Sequence, residues 1–444
     1  ESVIQIYLLK FYSESVGLQA TWVGFALAIA MLWDAVSDPI MGGISDRVNN
    51  AQGRRRPFFI PGTITLAVTF ILLFNPPSAS NTVIFVYLVL VFLLLNTSMT
   101  LVSVPHTALA GEISSDRHER SEIFGFKRIF STFGALAGLI LPALLMIALE
   151  ASDIAENLSE YSKRASTLII APIIIATGYI SFTSSKSFDR SKPRGQKIKW
   201  KYLGTLLFEQ REVFNNPLFR ILLLAFAIAA VGRTLNASIA LYYYEYFLLL
   251  SEKQVVIFIL LPFFLCLVAS IPFWIWLAKK WGKKNAAFFG IITLGFSTTV
   301  VYPLMPSAVL VFPLVNAIIG GFMAGAIVLM DSLVADSIDY DRLRVSHARE
   351  GLYFGVWKMT TKISRAIGLL MAGIFLDGIG FIAGPKPVDP DILFSLAIVF
   401  GPVVGILFIL AGVTLWTLPL DNNLHDRIQN IIEKRWGKTR DESV

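Results

Sequence analysis

The chain has 444 residues, 55% hydrophobic and 16% charged, with a mean hydropathy of +0.65. A soluble domain cannot hide that much apolar side chain, and runs of about 20 apolar residues, enough to cross a bilayer, recur along nearly the whole length. The formal charge of +7 is scattered over connecting segments, so no nucleic-acid-binding face forms. The single cysteine, Cys266, excludes a disulfide framework and a cysteine metal cluster, and His106, His118, His347 and His425 lack ligand spacing.

No cleavable signal peptide is evident. The chain opens at Glu1 on an apolar run, Val3 to Tyr12, too short to span, which reads as a first helix whose beginning is missing. With that clipped helix, spans are expected near 1–12, 20–43, 58–74, 83–110, 124–149 and 166–183. A second set falls near 218–247, 255–277, 286–302, 307–333, 351–377 and 392–418. Backbone groups in lipid must bond within their own segment, so these are helices; the alternation of a membrane β-barrel is missing. The expected fold class is an all-α membrane protein with a six-helix half at 1–183 and another at 218–419. A basic linker at 184–217 joins them, and a tail at 420–444 follows. Leu424, Ile428, Ile431 and Ile432 give that tail the spacing of an interfacial helix.

Basic residues collect on alternate connections: Arg47 and Arg54 to Arg56, Arg117 and Arg120, Lys186 to Lys201, Lys279 to Lys284, and Arg342 to Arg349. The connections Asn75 to Thr82 and Pro303 to Pro306 have none. The positive-inside rule then places both termini in the cytoplasm of a multi-pass protein of the cell membrane. The halves also echo each other, since Gly53-Arg54-Arg55 returns as Gly282-Lys283-Lys284 and Arg120 returns at the same offset as Arg349. A duplicated six-helix unit with a midplane site is a secondary-transporter plan.

The chemistry concentrates in the second span, where Asp34 and Asp38 stand four positions apart on one helix face. An ionised carboxylate at mid-bilayer costs roughly 3 kcal/mol on insertion scales. Two together repel unless a cation or a shared proton lies between them. Hard oxygen ligands suit Na⁺, and a shared proton relieves the repulsion equally well. Lys362 and Lys358, one turn apart in the eleventh span, are candidate partners for the acids; a lysine near the interface instead snorkels. Arg128 in the fifth span and Arg233 in the seventh either clamp a substrate through the guanidinium fork or tie helices together. Asp331 and Asp377 read as structural. Thr100 and Ser103 can lend hydroxyl oxygens to a cation or bond back to their own helix. Asp46 and Arg47, then Glu112, Asp116 and Arg120, then Asp336, Asp339, Arg349 and Glu350, form mixed-charge clusters after spans two, four and ten, candidates for a gate.

The pattern Trp33-Asp34-Ala35-x-x-Asp38-Pro39-x-x-Gly42, followed by Ser45-Asp46-Arg47 and Gly53-Arg54-Arg55-Arg56-Pro57, resembles the glycoside–pentoside–hexuronide:cation symporters. These form the melibiose-permease branch of the major facilitator superfamily. The resemblance continues through Val104-Pro105-His106, Arg120, Arg128, Asp336-Ser337-Ile338-Asp339-Tyr340, and Glu350-Gly351 with Lys362. It implies a major facilitator fold of twelve transmembrane helices. It further implies that Asp34, Asp38 and Thr100 hold the coupling cation, and that Arg128 and Lys362 belong to the polar network around cation and sugar. Ser103 and Thr107 stand where the melibiose permease carries an acid and a tryptophan that help hold its sugar. The cation half of the site is therefore kept and the cargo half altered.

The expected function is a Na⁺- or H⁺-coupled symporter moving a small solute, first of all a sugar or glycoside, by alternating access. It would work as a monomer without a cofactor beyond the coupling cation. A vertebrate branch of the superfamily carries lysophospholipids with Na⁺ and shares the acid pair, so an amphipathic cargo is the second reading. A non-transporting receptor or assembly subunit is a third, disfavoured by the insertion cost of the retained acids. No nucleophile–base set in the loops points to an enzyme.

Overall fold

The computed structural model describes residues 4–45, 48, 53–112, 117–150, 158–187, 210–342, 350–382 and 389–419. Helix α1 covers 4–15, followed by α2 (Ala20–Ser45), α3 (Arg56–Leu73), α4 (Asn81–Glu112), α5 (Arg117–Glu150) and α6 (Leu158–Ser184). Then come α7 (Pro217–Phe247), α8 (Glu252–Trp281), α9 (Lys283–Leu304), α10 (Val311–Asp341), α11 (Glu350–Gly378) and α12 (Pro390–Trp416). All but the short α1 are long and apolar enough to cross a membrane.

Local chemistry sets several boundaries. Asn216 accepts from the backbone N–H of Leu218 at 3.0 Å and of Phe219 at 3.3 Å, and Pro217 occupies the first turn, so α7 starts there. The repeated Gly-basic-basic motif has a backbone reason: Gly53 (φ 105°) and Gly282 (φ 86°) both take the positive φ that reverses the chain between two helices. After Gly53, Arg55 donates to Ser45 Oγ at 2.6 Å, and Arg56 donates through two nitrogens to the Phe182 carbonyl at 3.0 and 2.9 Å. Two arginines of this turn are thus buried clamps between helices as well as topogenic charges.

Several helices outrun their apolar stretches. The span expected at 307–333 continues to Asp341, and the one expected at 124–149 begins at Arg117. Hydropathy marks only the lipid-facing length, whereas the backbone keeps its hydrogen bonds into the aqueous layer. Asp336 and Asp339, expected beyond the tenth span, therefore sit on helix α10.

The packing repeats. Helix α2 lies on α4 and α11, α3 on α6, α8 on α10, α9 on α12, and α5 on α8. Advancing every label by half the set maps α2–α4 onto α8–α10, α3–α6 onto α9–α12, and α2–α11 onto α8–α5. The α2–α11 crossing joins the first six helices to the last six and is very close at one end. A Cβ on Gly373 would stand 2.3 Å from the Ala20 carbonyl, and one on Gly24 would stand 3.0 Å from the Leu369 carbonyl. There Asp377 accepts from the Thr21 N–H at 2.8 Å, capping the start of α2 from α11.

Candidate functional site

From the close end, α2 and α11 run antiparallel toward the basic turns and bring the two lines of charge face to face. Asp34 and Asp38 lie one turn apart near the middle of α2. Thr100 of α4 reaches both, with Oγ1 at 3.0 Å from Asp34 Oδ1 and 2.9 Å from Asp38 Oδ1. Its single proton serves one carboxylate at a time. Ser37 Oγ lies 3.4 Å from the same hydroxyl.

Across the crossing, Lys362 Nζ sits 2.7 Å from Asp34 Oδ2 and 2.6 Å from Asp38 Oδ2, and it donates to the Asp34 carbonyl at 3.0 Å. Lys358, one turn away and exposed, places Nζ 2.7 Å from Asp38 Oδ2. Asp34 is 6% exposed, Thr100 2% and Lys362 9%. The result is a quartet of two carboxylates and two ammonium groups whose formal charges cancel, buried at Asp34 and Lys362 and open to solvent at Lys358, with a hydroxyl on its far side. The Oδ1 atoms and Thr100 Oγ1 form a set of hard oxygens that suits a small monovalent cation and is poor in soft or imidazole donors. Among the described residues no cluster of three or more His, Cys, Asp or Glu side chains fits a multivalent metal.

The other candidates are spread out. Ser103 is exposed, and its carbonyl accepts from Thr107 Oγ1 at 2.7 Å. Thr107 in turn accepts from Lys127 of α5 at 2.5 Å, a lysine the sequence reading did not single out. Arg233 is exposed on α7. Asp336 pairs with Lys283 at 2.7 Å, which joins α9 to α10 within the last six helices, and Asp339 is half-buried nearby on α10. Asp46, Arg47 and Arg349, and the side chains of Arg120, Arg128 and Glu350, lie outside the described residues. Asp331 accepts from Trp357 Nε1 at 2.9 Å.

A second charged cluster, absent from the sequence reading, lies at the end away from the basic turns. Lys10 of α1 pairs with Glu245 of α7, and its Nζ is 3.5 Å from both Glu14 and Glu252. Lys163 of α6 sits 3.0 Å from Glu252 of α8. Each residue stands near a helix end, where a lone charge looks like an interface residue; only the packing of α1, α6, α7 and α8 unites them.

Residues 1–422 match the family described as MFS/sugar transport protein. The chain belongs to that family. It is a multi-pass transporter of the MFS/sugar transport family and not an enzyme, as the acid-pair motif implied. It is 25% identical to the "Glucuronide carrier protein homolog" of Escherichia coli (strain K12), with 97% of this chain and 91% of the relative covered. It is 22% identical to the "Sodium-dependent lysophosphatidylcholine symporter 1" of Xenopus tropicalis, covering 94% and 82%. Among solved structures, the nucleoside transporter NupG superposes with a TM-score of 0.63 at 12% identity, covering 94% of this chain and 96% of that one. That last likeness speaks for the shared fold alone.

Proposed function

We propose that this MFS/sugar transport family member is a cation-coupled symporter that carries a small solute, in the first place a sugar or glycoside, by alternating access. The observation behind this reading is the position of Lys362, whose ammonium lies against both acids where a coupling cation would otherwise neutralise them. In the cation-free form Lys362 and Lys358 satisfy Asp34 and Asp38. A Na⁺ ion or proton arriving at the carboxylates, with Thr100 Oγ1 as an accessory oxygen, takes over that role and frees the lysines. The α2–α11 contact that held the two sets of helices together at this level then loosens. Freed ammonium groups, with Lys127, Thr107, Arg128 and Arg233 as further candidates, are available to hydroxyl or acidic groups of the cargo. Asp46, Arg47, Arg120, Asp336, Asp339, Arg349 and Glu350 are assigned to the gate at the basic end, which faces the cytoplasm with both termini in a cell-membrane protein.

The relatives' names support a symporter of glycoside-like cargo and also a lysophospholipid carrier, so both cargo classes enter the test. Purified protein in proteoliposomes is assayed for uptake of sugars, glycosides, uronides and lysolipids, with and without a Na⁺ or pH gradient. The expected result is gradient-driven accumulation of one class in the native protein and its loss in Asp38→Cys. Undiminished gradient-driven accumulation in Asp38→Cys removes the acid pair from coupling.

A further inference from the structure

The two Gly-basic-basic turns are built alike but face different surroundings. After Gly53, Arg55 and Arg56 are buried and donate to Ser45 and to the Phe182 carbonyl of α6. After Gly282, Lys284 makes the corresponding bond to the Leu418 carbonyl just past α12, at 2.9 Å, and Lys283 pairs with Asp336. The α8–α9 turn then adds two lysines that the first turn lacks. Lys279 and Lys280 close the last turn of α8 and are exposed, whereas the positions 229 residues earlier hold Asn50 and Ala51.

Orientation signals explain the number of lysines here but not their setting. Lys280 Nζ lies over the Trp276 ring at 5.6 Å, and Lys284 Nζ over the Trp416 ring at 5.4 Å. Trp276, Trp281 and Trp416 are each close to half exposed. Indoles left open at the ends of spans mark the headgroup layer, with the ring against acyl chains and the N–H toward water. Between α8 and α12, α9 exposes Phe289, Phe296 and Val300 along the span. Phe289 meets Trp281 at 6.0 Å and Phe288 meets Trp416 at 4.7 Å, so the three helices share one aromatic rim. Below the rim the surface is apolar, and at the rim it carries ammonium groups. A ring face holds an ammonium in place while its N–H donors stay open to an anion.

We propose that the α8–α9 turn is a binding site for an anionic phospholipid of the leaflet on the side of the basic turns. Lys280 and Lys284 take the headgroup from either side of the turn, Lys279 adds charge, and the acyl chains run along the exposed face of α9 between Trp276 and Trp416. The charge of the headgroup sets the choice, because a lysine near the membrane surface gains from a net negative lipid. This site is independent of the acid pair, the coupling cation and the cargo. Residues 420–444 carry acids of their own, Asp421 and Asp426 among them, and the linker carries further lysines. Both are the same whichever lipid is offered, so the contrast between anionic and zwitterionic lipid isolates the turn.

The test uses the purified full chain in detergent, titrated with phosphatidylglycerol or with phosphatidylcholine of the same chains. Native mass spectrometry reads the dissociation constant of the first lipid bound. Phosphatidylglycerol should bind the more tightly, and the double variant Lys279→Gln with Lys280→Gln should lose about fivefold for each lysine removed while its phosphatidylcholine affinity stays unchanged. Both side chains are exposed, so the variant should unfold at the same temperature as the unsubstituted protein in phosphatidylcholine. A control, Lys197→Gln with Lys199→Gln, removes the same charge from the linker and should leave the lipid preference intact. Glycerol 1-phosphate, a headgroup without chains, should not compete at millimolar concentration. Equal affinity for the two lipids overturns the proposal, as does an undiminished preference in the Lys279/Lys280 variant or an equal loss in the linker control. Competition by glycerol 1-phosphate also overturns it, since the turn then binds a free phosphate and not a lipid.

Discussion

Lys362 holds Asp34 at two points, by its carboxylate at 2.7 Å and by its main-chain carbonyl at 3.0 Å. The second contact matters because a carbonyl cannot be neutralised by an arriving cation. On the proposed coupling, an arriving cation frees Lys362 from the two carboxylates, while the carbonyl remains a polar partner that spares the lysine from being stranded in lipid.

Removing that lysine should be costly. Lys362→Met leaves the buried Asp34 and the half-buried Asp38 without their shared counter-charge, and breaking a buried pair from one side costs about 3 to 5 kcal/mol. Thermal unfolding in detergent should show a large fall in midpoint. The double variant Asp34→Asn with Lys362→Met should recover much of it, since the partners are coupled.

Lys358 should matter far less to stability. It is exposed, and pairs of that kind are worth at most about 1 kcal/mol and are screened by salt. Lys358→Ala is expected to shift the unfolding midpoint little, and the residual difference should vanish at high ionic strength.

Thr100→Val keeps the volume and removes the oxygen shared by both acids. A hydrogen bond to a charged group is worth roughly 1.5 to 3 kcal/mol, so cation affinity should weaken about tenfold or more. Cation titration of transport, or of thermal stabilisation, measures it. An unchanged cation affinity would exclude Thr100 from the site.

At the close end of the crossing, Gly373→Ala introduces a methyl group where a Cβ would be 2.3 Å from the Ala20 carbonyl. The helices must part to admit it, at a cost of about 1 to 3 kcal/mol. Lower thermal stability, with slower uptake at unchanged cation affinity, is the expected signature.

Much of this was legible along the chain. Lipid makes helices obligatory, so apolar length alone locates them, and a carboxylate pair inside such a run announces a partner. Lys362 was readable for the same reason. The lengths of α5 and α10 were not, because charged turns continue a helix past the point where hydropathy falls. Lys127 was missed because a single lysine near a span end resembles a snorkelling one, and its bond to Thr107 depends on how α4 meets α5. The Glu14 cluster was invisible for a stronger reason. Its members are up to 242 positions apart, and no local pattern signals that α1 and α8 share a face.

The neutral quartet of Asp34, Asp38, Lys358 and Lys362 also bears on energy supply. Carried through the bilayer empty, the four groups sum to zero, so membrane voltage does no work on the return stroke. Loaded with one monovalent cation and an uncharged solute, the same site bears a full positive charge, on which about 2.3 kcal/mol acts for every 100 mV. The proposed coupling therefore predicts electrogenic transport, in which accumulation of neutral cargo responds to voltage even when the cation concentrations on the two sides are equal.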